Sequence, residues 1–454
     1  MRHSFTILIL LISARAMAAD DAAPVARESP AQRGYRLLLE KPYLTPDFDQ
    51  EVFDRLWTTW PKPLREKAAK ATPEARRRMA FSRYGLTERP NDKSGKPLQY
   101  VVDKRGNWTM NCLACHGGKV AGRVIPGLPN SHYALETLTE ETRRVKVRTG
   151  KPLVGKDVGI LFMPLGTSNG TTNAVSFGVV LWAYRDGELK HYPGRPLPKM
   201  LHHDHDAPPW WHFKKRKKLY IDGFAPKNHR ALMQFLLIRP NDRKKFDGWE
   251  NDFKDIYAYL ESIEPPKYPF AVEQKLAAEG ETIFNRSCAT CHGHYDDEPS
   301  YRERMIPIDV IGTDPLRHKA LSDEHRRRYE KSWFAHFGRD KVIEHPRGYV
   351  APPLDGIWAS APYFHNGAVP TLWHVLHPKK RPVVWRRSEN GYDRKHVGLE
   401  VKTFGKLPKS VTTKPERRTY FDTRQPGKSA SGHDFPAKLS EEERRAVLEY
   451  LKTL

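Results

Sequence analysis

Apolar side chains at helical spacing mark the first part of the chain. In residues 47–60 they recur every three or four positions, which predicts a helix that ends before Pro61. Thr72 followed by Pro73 predicts the start of another helix, because proline is favoured at the first helical position. Residues 99–102 form a short apolar run before a polar turn, so we expect one strand there.

The middle of the chain has apolar stretches with weaker periodicity. Residues 175–184 predict a buried helix or strand, and residues 231–238 predict a buried helix that ends at Pro240. Residues 246–263 carry apolar side chains at helical spacing and predict an amphipathic helix. A pair of prolines at positions 265–266 ends this helix.

The C-terminal part begins and ends with a clear helical pattern. Gly280, Phe284 and Cys288 are each four residues apart, so they lie along one helix face. The glycine leaves room for a second helix to approach closely. Ser440 and Glu443 form a capping box at the start of the last helix. The glycine–aromatic–cysteine pattern resembles the opening helix of class I cytochrome c, and this resemblance implies that the first and last helices cross at the glycine.

All four cysteines lie in two copies of the motif Cys-x-x-Cys-His. The copies are Cys112, Cys115 and His116, and Cys288, Cys291 and His292. Two thiols at this spacing attach the vinyl groups of a c-type haem, and the adjacent histidine becomes the proximal iron ligand. The sequence therefore predicts two covalently bound c-type haems. The alternative is one zinc ion on four thiolates, which requires both pairs to meet and leaves both histidines unexplained.

These patterns predict a mainly α fold with two cytochrome c-like haem domains, long irregular loops and little β structure. We expect a signal peptide at residues 1–19, an N-terminal haem domain at residues 20–268 and a C-terminal cytochrome c-like haem domain at residues 269–454. The first domain departs from the simple pattern, because no helix with the glycine–aromatic spacing leads directly into its motif. The helix that ends at residue 263 is expected to act as its last helix.

In the C-terminal domain, the helix crossing is predicted to have specific contacts. We expect Gly280 and Phe284 to pack against Tyr450 and Leu451.

The N-terminal segment, the hydropathy and the net charge indicate where the protein acts and which kinds of partner it has. The chain begins with a positive residue, a short apolar run and an Ala-Met-Ala cleavage site, which predicts export to the periplasm. No later stretch is long and apolar enough to predict a transmembrane segment. The net charge is +23, yet export argues against nucleic acid as a partner. The positive field would attract an acidic redox protein or an anionic surface; a solvated basic surface without a specific partner is the alternative.

The most specific stretch is a loop in the C-terminal part. Residues 349–372 read YVAPPLDGIWASAPYFHNGAVPTL. This run resembles the signature of the bacterial di-haem cytochrome c peroxidase superfamily, and most closely its rubber-oxygenase-like branch. The resemblance also covers both Cys-x-x-Cys-His motifs and the terminal Gly-His-Asp-Phe with its helix, and so most of the chain.

The resemblance implies different roles for the two haems. The N-terminal haem, with His116 as its proximal ligand, would do the chemistry, and the C-terminal haem, with His292, would pass electrons. It implies His433 as the second axial ligand of the C-terminal haem. His365 in the specific loop is a rival, although a loop histidine of this kind more often forms a hydrogen bond than ligates iron.

Further residues are candidates around the first haem. The resemblance places Trp211 between the haems as an electronic coupler, with ordinary core packing as the alternative. Phe224 and His229 are rival candidates for the distal face of the first haem, where His229 would be the better acid–base group for peroxide cleavage. Met163 is a candidate sixth ligand that would close this iron, and Met200 or a histidine is the alternative. Residues 202–206 contain three histidines and two aspartates, which suggest either a divalent metal site or a polar loop.

Three functions follow from this sequence. The first is a periplasmic haem oxidoreductase that passes electrons through the C-terminal haem to an N-terminal haem, which reacts with a small oxidant such as peroxide or dioxygen. The second is a pure electron-transfer cytochrome with both irons six-coordinate. The third is oxidative cleavage of an organic substrate, which requires an apolar channel to the first haem.

Overall fold

The computed structural model describes residues 27–192, 201–296 and 298–454. The predicted signal segment 1–19 lies outside these residues. The helices are mostly short, and nine of the α-helices in the described residues have eight or more residues. In chain order the helices are α1 (Pro30–Glu40), α2 (Gln50–Arg55), α3 (Lys62–Ala69), α4 (Pro73–Tyr84), α5 (Leu113–His116), α6 (Leu135–Arg148), α7 (Gly155–Gly159), α8 (Ala174–Ala183), α9 (His229–Leu232), α10 (Arg243–Gly248), α11 (Glu250–Ser262), α12 (Gln274–Ser287), α13 (Ala289–His292), α14 (Ile308–Ile311), α15 (Leu316–Lys319), α16 (Asp323–Glu330), α17 (Leu372–Leu376), α18 (Lys414–Arg417) and α19 (Glu441–Tyr450).

Short 3₁₀ helices and strands complete the fold. The 3₁₀ helices are Leu56–Thr59, Trp210–Lys215, Met233–Leu236, Trp333–Gly338, Ile357–Ala359, Pro378–Lys380 and Phe435–Lys438. The strands are β1 (Phe48–Asp49), β2 (Tyr100–Val102), β3 (Asn107–Met110), β4 (Gly117–Val120), β5 (Arg123–Pro126), β6 (Lys218–Leu219), β7 (Ala225–Pro226), β8 (Met305–Pro307), β9 (Gly348–Val350), β10 (Val384–Asp393), β11 (Gly398–Phe404) and β12 (Tyr420–Asp422).

The strands form several small antiparallel sheets. Two sheets have three strands, in the orders β1-β3-β2 and β11-β10-β12, and three further pairs are β4-β5, β6-β7 and β8-β9. The structure is 42% helical and 14% strand. The expectation of a mainly α fold built from two cytochrome c-like domains with little β structure is therefore wrong. The long loops contain β structure because their backbone N–H and C=O groups pair with one another, most extensively in the β10–β11 ladder.

Several local sequence signals are confirmed. Thr72 caps α4, and its hydroxyl accepts a hydrogen bond from the Ala75 N–H at 3.2 Å. Ser440 and Glu443 form both bonds of the predicted capping box of α19. The apolar run at residues 175–184 is a helix, α8. These signals depend on residues close together in sequence, which explains why they could be interpreted correctly.

The helix crossing predicted for the C-terminal part is present between α12 and α19. A Cβ on Gly280 would lie 2.0 Å from the carbonyl oxygen of Ala446 and 2.9 Å from Cβ of Tyr450, so only glycine fits at the crossing. The rings of Phe284 and Tyr450 are in contact, with centroids 5.3 Å apart. The predicted contacts of Gly280 and Phe284 with Tyr450 are confirmed.

A second crossing of the same kind joins α1 and α11 in the N-terminal part. A Cβ on Gly34 would lie 2.1 Å from the carbonyl oxygen of Asp255. Arg33 adds a two-point ion pair with the Asp255 carboxylate, at 2.9 and 3.0 Å. The helix α11 thus crosses another helix at a glycine. Its role as the last helix of a haem domain stays a prediction. Its partner α1 was not foreseen, because a long segment separates α1 from the first haem motif.

The helix α6 is polar in sequence and yet buried along most of its length. Its charges have partners inside the protein, so their burial is tolerated. Glu140 accepts two hydrogen bonds from Arg418, at 2.8 and 2.9 Å, and Lys146 lies 2.5 Å from the carboxylate of Asp157.

Two clusters of buried apolar side chains form the interior. The smaller one lies between Phe48 and Leu165. The larger one contains residues from Leu38 to Leu451, on both sides of the boundary predicted at residue 268. Both haem motifs contribute to this larger cluster, through Leu113 and Ala289. The division into two domains stays a prediction.

Candidate haem centres

The first motif is held by an asparagine at its start. The side-chain amide of Asn111 donates hydrogen bonds to the carbonyls of Leu38, at 2.9 Å, and Leu98, at 3.0 Å. Its side-chain oxygen accepts one from the N–H of Leu113 at 3.0 Å. The short helix α5, which follows Cys112, is thereby fixed against α1 and the segment before β2.

His116 is oriented by a proline carbonyl. Its Nδ1 lies 3.0 Å from the carbonyl oxygen of Pro208. Because a carbonyl can only accept, Nδ1 carries the hydrogen and Nε2 keeps a free lone pair. Burial lowers the pKa of His116 to about 4 although the Pro208 carbonyl opposes this shift. The imidazole is therefore neutral near pH 7, as an iron ligand must be.

Trp210 stacks on the proximal imidazole of the first motif. The ring centroids of Trp210 and His116 are 4.8 Å apart, with 23° between the ring planes. Two backbone hydrogen bonds fix this arrangement. The N–H of Gly127 donates to the carbonyl of His116 at 2.7 Å, and the N–H of Trp210 donates to the carbonyl of Gly127 at 2.9 Å.

The second motif repeats this orientation. Nδ1 of His292 lies 2.9 Å from the carbonyl oxygen of Pro352, in the loop singled out from the sequence. Burial lowers the pKa of His292 as well. Tyr295 donates its hydroxyl to the carbonyl of His292 at 3.1 Å and accepts from the N–H of Leu354 at 2.5 Å. The loop and the motif are thereby locked to each other.

The two acceptor carbonyls belong to the same short sequence. Residues 207–209 and 351–353 both read Ala-Pro-Pro, and in each case the first proline accepts from a proximal histidine. The first of these prolines was missed by sequence reasoning. The signal was present, because Ala-Pro-Pro occurs both in the specific loop and just before the Trp-Trp pair.

His433 faces His292. The two ring centroids are 6.1 Å apart, with 65° between their planes. His433 adopts a left-handed backbone conformation with φ of +51°, which is unusual outside glycine and costs stability. Arg381 supports this turn by donating to the carbonyls of Ala430 and Gly432, at 2.7 and 2.6 Å.

The distance between these two imidazoles fits an iron ion held from both sides. Metal–imidazole bonds are about 2 Å long, so two rings on one ion have centroids roughly 6 Å apart. Burial and the charges of His292 and Arg381 lower the pKa of His433 to about 3, which keeps the ring neutral. Its buried Nδ1 has no hydrogen-bond partner among the described residues. The donor set therefore fits a six-coordinate haem at the second motif.

The first motif lacks such a counterpart in the described part of the chain. The ring in contact with His116 there is the indole of Trp210, and no second imidazole faces it. Met163, the candidate sixth ligand, is half-buried in the turn that follows α7. Met200 lies outside the described residues.

Trp211 connects the surroundings of the two motifs. It is fully buried, and its indole N–H donates to the carbonyl of Asp355 at 2.6 Å. His212 lies 2.9 Å from the same carbonyl. In sequence, Trp211 lies three residues after Pro208, whose carbonyl accepts a hydrogen bond from His116. Asp355 likewise lies three residues after Pro352, whose carbonyl accepts one from His292.

Phe224 and His229 have their contacts elsewhere. Phe224 stacks on Tyr220 at 5.0 Å and lines an apolar cavity of about 20 Å³ with α8 and α16. His229 lies 2.9 Å from the carboxylate of Glu250, at the start of α11. Neither ring pairs with His116 in the described residues, so the structure does not bring these candidates to the first motif.

The run at residues 202–206 builds a structural network around Asp204. This carboxylate is buried and accepts hydrogen bonds from Thr171 at 2.7 Å and Thr167 at 2.9 Å. Lys428 lies 3.1 Å from it, and His202 lies at 3.1 Å as well. Burial alone would raise the pKa of Asp204, but the Lys428 charge and these hydrogen bonds hold it far below its usual value.

The remaining histidines of this run form a ring cluster with the loop. His205 contacts His203 at 4.6 Å and His365 at 6.2 Å, and His365 contacts Tyr349 at 4.6 Å. The ring in contact with His292 is instead that of His433. Within the described residues, no three histidine, cysteine, aspartate or glutamate side chains converge as a metal site. The two cysteine pairs therefore do not meet in a four-thiolate zinc site there.

Comparison with known proteins supports a cytochrome assignment. Residues 348–386 match the family model described as RoxA-like, cytochrome c-like. This segment includes the Pro352 carbonyl and the ring of His365. The match supports a RoxA-like cytochrome, and a cytochrome c-like domain implies covalently bound c-type haem.

Two curated proteins of Sinorhizobium fredii (strain NBRC 101917 / NGR234) are similar to the chain. The uncharacterized protein y4iM is 30% identical over 288 residues, which are 55% of this chain and 64% of that protein. The uncharacterized protein y4iJ is 27% identical over 259 residues, which are 42% of this chain and 41% of that protein. The chain thus spans less than two thirds of either relative. In the described ranges, no helix has the length and apolar character needed to cross a membrane.

Proposed function

We propose that the protein is an exported di-haem c-type cytochrome that acts as an oxidoreductase. Its C-terminal haem, on Cys288, Cys291 and His292, receives and passes electrons. Its N-terminal haem, on Cys112, Cys115 and His116, reacts with peroxide or dioxygen. The proposal places the protein in the periplasm, with a redox protein as its donor or acceptor.

The difference between the two motifs carries this proposal. Both proximal histidines are held in the same way, by a proline carbonyl 2.9–3.0 Å from Nδ1. Of the two, His292 alone has a second imidazole opposite it within the described ranges, that of His433 at 6.1 Å. A six-coordinate iron exchanges electrons without binding a substrate, whereas an iron with an open position can bind one. This difference supports electron transfer at the second haem and reactivity at the first.

Backbone carbonyls and an arginine side chain orient the histidine rings at the two motifs. Haem iron would supply the one-electron chemistry and, where a coordination position is open, the site for the oxidant. Pro208 and Pro352 fix each proximal ring in the tautomer that offers Nε2, and the hydrogen bond to a carbonyl raises its basicity as a ligand. Arg381 holds the turn that carries His433.

Trp211 would provide the connection between the haems. A continuous chain of bonds leads from Pro208 through the Trp211 indole and its 2.6 Å hydrogen bond to Asp355, and on to Pro352. Each end of this chain is a carbonyl that holds a proximal histidine. A short bonded path of this kind supports electron exchange better than separated groups across solvent.

The cleavage of an organic substrate has less support. It requires an apolar channel to the first haem, and the apolar cavity of about 20 Å³ beside Phe224 is lined by no residue of the first motif. A cavity of this size holds roughly one water molecule. The pure electron-transfer alternative requires a sixth ligand at the first haem, for which no imidazole is available in the described residues.

Electron paramagnetic resonance of the oxidised protein tests the proposal. We expect one high-spin haem and one low-spin haem, with the high-spin signal responding to peroxide. Two low-spin signals that neither reduction nor peroxide changes would refute it. A pyridine haemochrome assay with fewer than two c-type haems per chain would contradict the haem count itself.

A further inference from the structure

Three aromatic rings lead from the proximal ligand of the first motif toward the protein surface. Trp210 stacks on His116 at 4.8 Å. Tyr259, on α11, meets the Trp210 ring edge-on with centroids 6.2 Å apart. Tyr35, on α1, lies 5.1 Å from Tyr259. All three steps are ring contacts, so no gap interrupts the series.

We propose that Trp210, Tyr259 and Tyr35 form an electron relay between the first haem and the surface, separate from the Trp211 path to the second haem. This inference rests on the proposed haem at His116. Tryptophan and tyrosine are the side chains whose rings are most readily oxidised by one electron. Transfer between rings falls steeply with distance, so a series of touching rings is much faster than one long step.

The inner ring is buried and the two outer rings are partly exposed. Trp210 is buried, with 8% of its surface exposed. Tyr259 and Tyr35 are each half-buried, so the outer part of the series, on α11 and α1, reaches solvent. The glycine crossing at Gly34 brings α1 close enough to α11 for Tyr35 and Tyr259 to touch. The crossing therefore fixes the outer step of the relay.

The relay transfers one electron at a time, and each proton that is released is later taken up again. When the peroxide of the proposed function has withdrawn an electron at the first haem, Trp210 would supply the replacement. Tyr259 would then reduce Trp210, Tyr35 would reduce Tyr259, and a one-electron donor at the surface would reduce Tyr35. An oxidised tyrosine gives its phenolic proton to water and takes one back when it is reduced again. Each ring is restored at the end, and only the donor is oxidised.

A photochemical measurement tests the relay without any peroxide. Ala31 lies one turn before Tyr35 on α1, so an Ala31→Cys variant can carry a ruthenium tris-bipyridine label next to the outer ring. In the holoprotein with reduced haems, a light flash and a soluble electron acceptor generate oxidised ruthenium. The rate of haem oxidation, followed in the visible spectrum, then measures electron flow toward the label.

Conservative variants isolate the relay. Tyr259→Phe and Trp210→Phe keep an aromatic ring in place but remove a ring that is readily oxidised. Each should slow haem oxidation at least about tenfold. Tyr257→Phe is the matched control, because Tyr257 lies on the same helix and packs on Phe213 instead, and its rate should equal that of the labelled parent.

The outcome separates the relay from the proposed function. Equal rates in Tyr259→Phe and the parent overturn the relay, even when the first haem is high-spin and reacts with peroxide. A slowed rate supports the relay even when that haem proves unreactive toward peroxide. A holoprotein without haem on Cys112 and Cys115 overturns the relay directly, because its inner end is then missing.

Discussion

The crossing of α12 and α19 makes Gly280→Ala a sharp test of how the fold supports the second haem. The added Cβ would lie 2.0 Å from the carbonyl oxygen of Ala446, and ordinary contact begins at 3.4 Å. The helices must therefore separate by about 1.4 Å at this point. The obstructing atoms are backbone, so no side-chain rotation relieves the contact.

The expected loss of stability follows from two opposing contributions. Overpacking costs roughly 1–3 kcal/mol, and alanine regains about 1 kcal/mol of helix propensity over glycine. Because backbone must move, we expect a cost at the upper end and a net loss of about 2 kcal/mol. His433 precedes α19 by a single 3₁₀ turn, so the same movement should loosen the second axial ligand and raise the high-spin fraction of that haem.

Urea unfolding followed by circular dichroism measures the loss, and the visible spectrum reports the spin state. Gly248→Ala is the control, because nothing lies within 4 Å of its added Cβ, and it should be neutral or slightly stabilising. Gly34→Ala should lower the free energy of unfolding similarly, because its Cβ meets the Asp255 carbonyl at 2.1 Å, but leave the C-terminal haem low-spin. A Gly280→Ala variant within about 0.5 kcal/mol of the parent would refute the reasoning.

Three further predictions concern the site and its surroundings. His433→Ala should convert the C-terminal haem from low to high spin in electron paramagnetic resonance, whereas His365→Ala should not; the reverse pattern would exchange their roles. Asp204→Asn leaves the ammonium of Lys428 buried without its counter-charge, so urea unfolding should show a loss of about 3–5 kcal/mol, and a loss below about 1 kcal/mol contradicts this. Burial lowers the pKa of His365 to about 3, so the unfolded chain takes up its proton first as the pH falls. The free energy of unfolding should therefore decline from about pH 6.5 toward pH 3, less steeply in His365→Gln; an equal slope contradicts the assignment.

The accuracy of the sequence-based predictions depended on how far apart the interacting residues lie in the chain. The capping box at Ser440 and the glycine face at Gly280 were predicted correctly, because spacing within one helix determines them. The choice of His433 over His365 as the group opposite His292 agrees with the observed ring contacts. Its role as an iron ligand stays a prediction.

Features that depend on distant partners could not be predicted. The polar sequence of α6 suggests a solvated helix, yet Glu140 is neutralised by Arg418, 278 positions away. The Pro208 carbonyl lies 92 positions from the His116 ring that it orients. The β10–β11 ladder was missed for another reason: its polar and charged residues hide the alternating pattern that a strand normally shows.

Under the proposed function, the difference between the two haem motifs comes from residues outside the motifs themselves. Each has a glycine crossing of two helices nearby and an Ala-Pro-Pro carbonyl on its proximal histidine. The groups that differ lie outside both Cys-x-x-Cys-His motifs. They are His433, in a left-handed turn before the last helix, and Trp210, which stacks on His116. Counting Cys-x-x-Cys-His motifs therefore predicts how many haems bind, whereas the residues around each proximal ring determine what each haem can do.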